Sequence, residues 1–176
     1  PSAFQVSSFK KPSANELDHD FLWRTNLALP QRGRIGVFNR SYYEEVLVVR
    51  VHPGYLGAQK LPPDVMPESL EALWPQRFES IVEHERHLAR NGTVVLKFWL
   101  NVSRDEQKRR FLRRLDTPEK NWKFSRGDLK ERELWPKYIE AFEEAGGPER
   151  TAVFAENCGE AGAVEYYGRH YGIEQV

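Results

Sequence analysis

The sequence has 176 residues, which is enough for one domain with a substantial core. Hydrophobic residues make up 40% and charged residues 30% of the chain, a balance typical of globular proteins that excludes a disordered chain. Lysine plus arginine and aspartate plus glutamate number 26 each, so net charge indicates no class of partner and only local clusters of charge can.

Cysteine content and hydropathy favour the interior of the cell. The single cysteine, Cys158, excludes an internal disulfide and suits a reducing compartment. No apolar run approaches the roughly 18 residues that a membrane helix needs, and no signal peptide is visible. We therefore expect a cytoplasmic protein that is not associated with a membrane.

The first predicted elements are two short strands that flank a helix. A β-rich run at residues 4–9 predicts the first strand. Ser13 and Glu16 have the spacing of a capping box and predict a single helix that ends near Pro30. A compact apolar run at residues 34–38 predicts the second strand.

The next predicted elements are an ambiguous apolar segment, a loop and a long helix. Residues 44–51 fit a buried strand or a helix, and their periodicity does not decide between the two. Residues 52–67 are rich in glycine and proline and predict a loop. A long amphipathic helix follows, with Pro75 tolerated near its start. Its apolar stripe consists of Leu73, Trp74, Phe78, Ile81 and Leu88.

Residues 93–102 (TVVLKFWLNV) form the clearest predicted strand, a nearly continuous apolar run of the kind found in the middle of a parallel sheet. A capping box at Ser103 and Glu106 predicts the helix that follows. The residues of this helix that we expect to face inward are Phe111, Leu112 and Leu115. A loop and a charged helix over 122–145, a strand at 151–155 and a weak helix at 161–171 complete an alternating pattern. The pattern predicts an α/β fold with a parallel sheet covered by helices on both faces.

The first candidate site follows the second strand. Asn39, Arg40 and Ser41 stand where that strand ends, and open parallel sheets bind ligands just beyond the carboxyl ends of their strands. A cation, an amide and a hydroxyl there could hold a phosphate and a metal-bound water. The alternative is that Asn39 and Ser41 only cap the next element, which is the commoner role of these residues.

The second candidate is an arginine-rich helix. Arg110 and Arg114 lie one turn apart on one face of this helix, and guanidinium groups bind phosphate oxygens bidentately. The basic residues around them are Lys108, Arg109 and Arg113. The alternative is a solvated face in which Asp105 and Glu106 pair with Arg109 and Arg110. An RNA-binding helix is disfavoured because little aromatic interleaving accompanies the charges, so we expect no nucleic-acid partner.

Two further features concern a lid and a missing loop. Lys123, within NWKFS, precedes a helix of alternating charge and could close over phosphates as part of a lid, or the segment could be a surface helical hairpin. None of the twelve glycines is followed by lysine, so the chain contains no G-x-x-x-x-G-K phosphate loop. Since the chain opens at Pro1 without methionine, we expect that loop to lie upstream.

An ordered series of segments resembles one known family. The segments SFKKPS, HDFLWR, LPQRGRIGVFNRSYYEEVLVVRVH and NGTVVLKFWLNVSRDEQKRRFLRRLDTPEKNWKFSRGDLKERELWPKY together look like the family 2 polyphosphate kinases, over residues 9–142. The resemblance implies a P-loop-kinase-like, three-layer α/β sandwich with a parallel sheet and a helical lid at about 116–145. It also implies that residues 1–176 are a single, incomplete domain that moves phosphate between polyphosphate and AMP or ADP with Mg²⁺.

The resemblance assigns roles to individual residues. The residues implied to act in catalysis are Arg40 and Arg114. Those implied to bind phosphate or nucleotide are Asn39, Ser41 and Lys123. Arg110 is added to this group because it lies on the same helix face as Arg114. Basic positions of the polyphosphate channel are matched by Lys10, Lys11 and Arg24. Many relatives have aspartate where Asn39 stands, so an amide is expected to hold Mg²⁺ there through water.

Two departures from the family pattern keep an alternative open. The phosphate loop is expected upstream of this sequence, and residues 146–176 do not resemble the family's C-terminal segment. The alternative is a non-catalytic relative that binds polyphosphate or nucleotide without turnover. A homo-oligomer is possible in either case.

Overall fold

A computed structural model of the chain describes residues 4–100, 102–119, 126–144 and 152–154. The chain divides into two compact units, residues 1–95 and residues 96–176, which are taken in turn. Each unit contains one pair of parallel strands together with helices. The prediction of an α/β fold with parallel strands is therefore confirmed, with two strands in each described sheet.

The first unit is built on strands β1 (Phe4–Ser8) and β2 (Ile35–Asn39), which pair in parallel with Phe4 opposite Ile35 and Ser8 opposite Asn39. One face of this pair is covered by the chain between the strands. Gly36 lies on that face, where an added Cβ would stand 2.9 Å from Cδ of Pro30, so only glycine permits this approach. Both strands were predicted from the sequence.

The segment between these strands contains two short helices, α1 (Ala14–Leu17) and α2 (Trp23–Asn26), so the prediction of a single helix is wrong. The capping box at the start of α1 is present as predicted. The helix ends early because Asp20 offers the backbone a local alternative: its Oδ1 accepts a hydrogen bond from the N–H of Leu22 at 2.9 Å.

Two helices of the first unit pack together. Residues 44–51, which the sequence left ambiguous, form helix α3 (Glu44–Val51), and a 3₁₀ helix (Pro53–Ala58) follows within the predicted loop. The long helix α4 (Leu70–Arg90) is present as predicted and includes Pro75. A core cluster joins these elements and consists of Val49, Leu56, Leu73 and Trp74.

A buried ion pair ties α4 to α3. Nη1 of Arg77 donates to Oε2 of Glu45 at 2.8 Å, and Nη2 of Arg77 donates to Oε1 of Gln59 at 2.6 Å. The Gln59 amide in turn donates to the Glu45 carboxylate at 2.6 Å. Arg77 is 4% exposed, and its guanidinium also lies 5.1 Å from the centre of the Phe21 ring. A buried charge is tolerated here because it is paired and its donors are used.

The second unit contains strands β3 (Phe98–Leu100) and β4 (Ala152–Phe154), which pair in parallel, and helices α5 (Arg104–Leu115), α6 (Arg126–Glu133) and α7 (Trp135–Glu144). Trp99 of β3 stacks on two rings of α7, those of Trp135 and Phe142, at 5.7 and 4.6 Å. Helices α6 and α7 fall within the range in which a helical lid was predicted.

Two predictions for this unit are wrong. Of the described residues in 93–102, only three form a strand. Phe98 and Leu100 are 57% and 64% exposed, because α7 covers only the Trp99 face among the described residues. Leu112 and Leu115 are also exposed. The covered side of α5 includes Arg110, and Leu112 lies roughly 160° around the helix from it.

The sequence predicts that no segment spans a membrane, and the hydropathy of the helices can be compared with that expectation. Within the described ranges, we find no helix that is both long and apolar enough to cross a bilayer.

Candidate functional site

The carboxyl ends of β1 and β2 lie side by side in the first unit. The amide nitrogen of Asn39 donates to Oγ of Ser8 at 3.2 Å, and the N–H of Phe9 donates to the Asn39 carbonyl at 3.1 Å. A hydroxyl and an amide therefore stand together at the edge of the sheet where open parallel sheets bind ligands. The side chain of Asn39 reaches across to β1, and α3 begins without a side-chain cap.

Residues 39–43, here called the strand-end turn, connect β2 to α3. Arg40 adopts a left-handed backbone conformation with φ of 66°, which is uncommon for a residue other than glycine. Its side chain is 59% exposed. Oγ of Ser41 accepts a hydrogen bond from the N–H of Tyr43 at 3.3 Å, a bond within the turn, and α3, whose N-cap is Tyr43, begins without a side-chain cap. Backbone strain of this kind occurs preferentially at functional sites.

A second arginine lies at the end of β1. Nη1 of Arg24 donates to the carbonyl of Lys10 at 2.9 Å, and its guanidinium lies 5.2 Å from the centre of the Phe9 ring. Arg24 also lies 3.9 Å from the carboxylate of Glu16. Lys10 and Lys11 are exposed beside it. The structure thus brings the predicted basic residues of the first unit to the strand end that also carries Asn39.

Glu44 lies among these cations and was not predicted as a site residue. Its carboxylate stands 3.5 Å from Nε of Arg40. Burial raises the pKa of Glu44, and the charges of Arg40 and Arg24 partly oppose that rise. The four-residue spacing of Arg40 and Glu44 is visible in the sequence, but Arg40 precedes α3 with a left-handed backbone, so the helical i,i+4 rule does not predict their contact.

The other predicted cations belong to the second unit, on α5. Arg110 and Arg114 are half-buried on one side of the helix, whereas the other basic residues nearby are exposed. The guanidinium of Arg114 lies 5.6 Å from the centre of the Phe111 ring. Glu106 pairs with Arg109 at 2.5 Å and with Arg110 at 3.0 Å, so part of the charge is balanced as the alternative reading expected. The hydrogen bonds from these arginines hold the pKa of Glu106 below its usual range.

The exposed side of α5 bears a shallow groove of about 380 Å³. It is lined by Asp105, Lys108, Arg109, Leu112, Arg113 and Asp116. Lys123 lies outside the described residues. In the part of the chain that the structure describes, no three histidine, cysteine or carboxylate side chains cluster closely enough to hold a metal ion.

The position of Glu44 leads to a first prediction. Replacing Glu44 by glutamine removes a negative charge beside Arg40, so the chain should bind tripolyphosphate about threefold to tenfold more tightly at low ionic strength. Isothermal titration calorimetry measures the change. Glu79→Gln, at an exposed position of α4, is the control and should leave affinity unchanged. Weaker binding by Glu44→Gln would show instead that Glu44 is needed to hold Arg40 in place.

Comparison with known proteins identifies similar sequences. The family described as Polyphosphate kinase 2 matches residues 1–152. The ADP-polyphosphate phosphotransferase of Rhodopseudomonas palustris is 57% identical over 144 residues, which are 81% of this chain and 49% of that protein. The AMP/ADP-polyphosphate phosphotransferase of Meiothermus ruber is 46% identical over 145 residues, 82% of this chain and 49% of that protein. The chain thus spans about half the length of these curated relatives.

A solved structure agrees with the sequence matches. The crystal structure of polyphosphate kinase 2 from Arthrobacter aurescens superposes with a TM-score of 0.74 at 35% sequence identity. The match covers 97% of this chain and 56% of that one.

Proposed function

The chain belongs to the polyphosphate kinase 2 family, and from that premise we propose that it transfers phosphate between inorganic polyphosphate and the nucleotides AMP and ADP. The observation that carries the proposal is the cationic end of the β1–β2 pair. There Arg24 is fixed by its bond to Lys10, Arg40 extends its side chain toward solvent, and Asn39 adds an amide. Such a site suits the oxygens of a phosphate chain.

Phosphoryl transfer needs mainly positioning and neutralisation of charge, because the transition state spreads negative charge over the oxygens of the moving group. Exposed cations at the strand end would hold the phosphates of a polyanion in line. Arg40 is the residue proposed to meet the transferred group in this unit. Arg114 and Arg110 of α5 are proposed to provide further charge, with Lys123 acting from the lid.

The residues at the strand end are compatible with a water-bridged Mg²⁺. The hydrogen bond from Asn39 to Ser8 uses the amide nitrogen, so the amide oxygen is available as an acceptor. Mg²⁺ prefers oxygen ligands and usually keeps several waters, so Asn39 would hold it through water. When bound, the ion would neutralise phosphate charge. The proposed architecture is the P-loop-kinase-like three-layer sandwich with a lid over residues 116–145.

The proposed function is tested by an assay of long-chain polyphosphate with AMP or ADP, followed by phosphorus NMR. The assay is run on this chain and on the longest open reading frame that contains it. ADP or ATP formed only when polyphosphate is present supports the proposal. Binding of tripolyphosphate without turnover in either protein would favour the non-catalytic alternative, and neither binding nor turnover would overturn both.

Asn39 provides a second prediction. Asn39→Asp places a carboxylate beside the phosphates, and Mg²⁺ binds a carboxylate more strongly than an amide. In the open reading frame we therefore expect half-maximal activity at a lower Mg²⁺ concentration and a changed ratio of AMP to ADP use. Magnesium titrations with each acceptor measure both effects. Identical titrations and acceptor profiles for the two proteins would remove Asn39 from the site.

The matched control for this prediction is an asparagine of α2. Asn26→Asp adds the same charge at the exposed end of α2 without touching the end of β2. Its magnesium requirement and acceptor ratio should equal those of the unchanged protein. An equal shift in both variants would mean that net charge, and not the position of Asn39, causes the effect.

A further inference from the structure

Tyr42 joins the strand-end turn to helix α4. It is 7% exposed, and its hydroxyl donates a hydrogen bond to Oε1 of Glu85 at 3.0 Å. Its ring also packs perpendicular to that of His84, with 5.6 Å between the ring centres. Tyr42, which follows Ser41, is thereby attached to a residue of α4 that lies 43 positions further along the chain.

The strand-end turn needs such an attachment because its conformation is not the intrinsic preference of its residues. Arg40 is held in the left-handed region. An arginine keeps this conformation only where contacts with the surrounding structure fix its backbone. On one side the pairing of Asn39 with β1 fixes the turn. On the other side the turn is fixed at Tyr42, which is the first buried residue after β2.

We propose that Tyr42 and Glu85 are positioning residues, which hold the strand-end turn in the conformation that presents Arg40 to phosphate. Neither residue is assigned contact with substrate. The effect on phosphate binding rests on the proposed function. The attachment of the turn to α4 does not, because it is present in the chain without a ligand. Burial raises the pKa of Tyr42, so its hydroxyl stays protonated and remains a donor across the physiological range.

The test compares three variants of the 176-residue chain. Tyr42→Phe keeps the ring and removes the donor, Glu85→Leu removes the acceptor, and Glu85→Gln keeps an acceptor without the charge. We expect faster amide hydrogen exchange at Tyr43 and Glu44 in Tyr42→Phe and Glu85→Leu, by about threefold to tenfold, the value of one hydrogen bond. Tripolyphosphate affinity should fall by a similar factor. Glu85→Gln should restore both readouts to nearly the unchanged level.

A stability-matched control separates positioning from general weakening. Ile81→Val removes one methylene from a fully buried residue of the same helix and leaves the hydroxyl of Tyr42 and its acceptor Glu85 in place. It should lower the melting temperature without changing exchange in the strand-end turn. The double variant Tyr42→Phe/Glu85→Leu should be no worse than either single change, because both remove the same bond.

The outcomes distinguish the inference from the proposed function. Unchanged exchange at Tyr43 and Glu44 in Tyr42→Phe overturns the inference, whatever the chain binds. Faster exchange with unchanged tripolyphosphate affinity shows an attachment that does not serve the site, and this also overturns it. A chain that binds no tripolyphosphate before any substitution counts against both the proposed function and the positioning role.

Discussion

Replacing Arg114 by alanine is expected to lower the turnover of the open reading frame that contains this chain by about 10³-fold, while the KM for nucleotide changes by less than about threefold. The reason is that charge on the transferred group develops in the transition state, and an arginine that meets it there contributes little to binding the ground state. Arg114 is half-buried and rests on the Phe111 ring, so its guanidinium is held in a defined position.

Arg113 provides the matched control for that prediction. It is the adjacent residue of α5, but it lies in the exposed groove with Lys108 and Asp116. Arg113→Ala removes the same charge and should change turnover by no more than about twofold, because an exposed charge is screened. Steady-state kinetics with polyphosphate and ADP measure both variants. An unchanged kcat with a raised KM for Arg114→Ala would assign this arginine to ground-state binding.

Replacing Arg77 by methionine is expected to reduce the free energy of unfolding by about 3–5 kcal/mol. The substitution leaves Glu45 with a charge that is 12% exposed and no longer paired. Burial lowers the pKa of Arg77, and the Glu45 carboxylate opposes that shift. Urea unfolding of the full chain measures the loss, and amide exchange along α4 locates it.

Two comparisons make the Arg77 prediction specific. Lys60→Met removes a cation from the exposed pair with Asp18, and such pairs contribute at most about 1 kcal/mol. The double variant Arg77→Met/Glu45→Gln removes both charges and should recover much of the stability that the single change loses. If Arg77→Met is no more destabilising than Lys60→Met, the buried network does not stabilise the first unit.

Elements with local signals were predicted correctly. The side chain of Ser13 bonds to the backbone of Glu16 three residues later, and this pattern depends on neighbours in the chain alone. The stripe along α4 and the short run that forms β2 were also read from spacing. The family was identified from the order of whole segments, and the comparisons confirm it.

Elements that depend on their surroundings were not predicted correctly. Residues 93–102 are apolar enough for a central strand, but Phe98 and Leu100 are exposed, because among the described residues β3 pairs only with β4. The expected helix from Ser13 to Pro30 breaks where Asp20 bonds to the backbone. Propensity and periodicity are averages over contexts, and packing and competing hydrogen bonds override them.

The sequence by itself determined the types of residue at the candidate site: an arginine between an asparagine and a serine at a strand end, and a pair of lysines after the preceding strand. Only the tertiary structure decided that these two strand ends are neighbours, that Glu44 stands beside Arg40, and that Tyr42 reaches Glu85. The reason is physical. Local conformation follows from interactions within a few residues, whereas contacts between distant residues exist only after the chain has buried its apolar surface and brought them together.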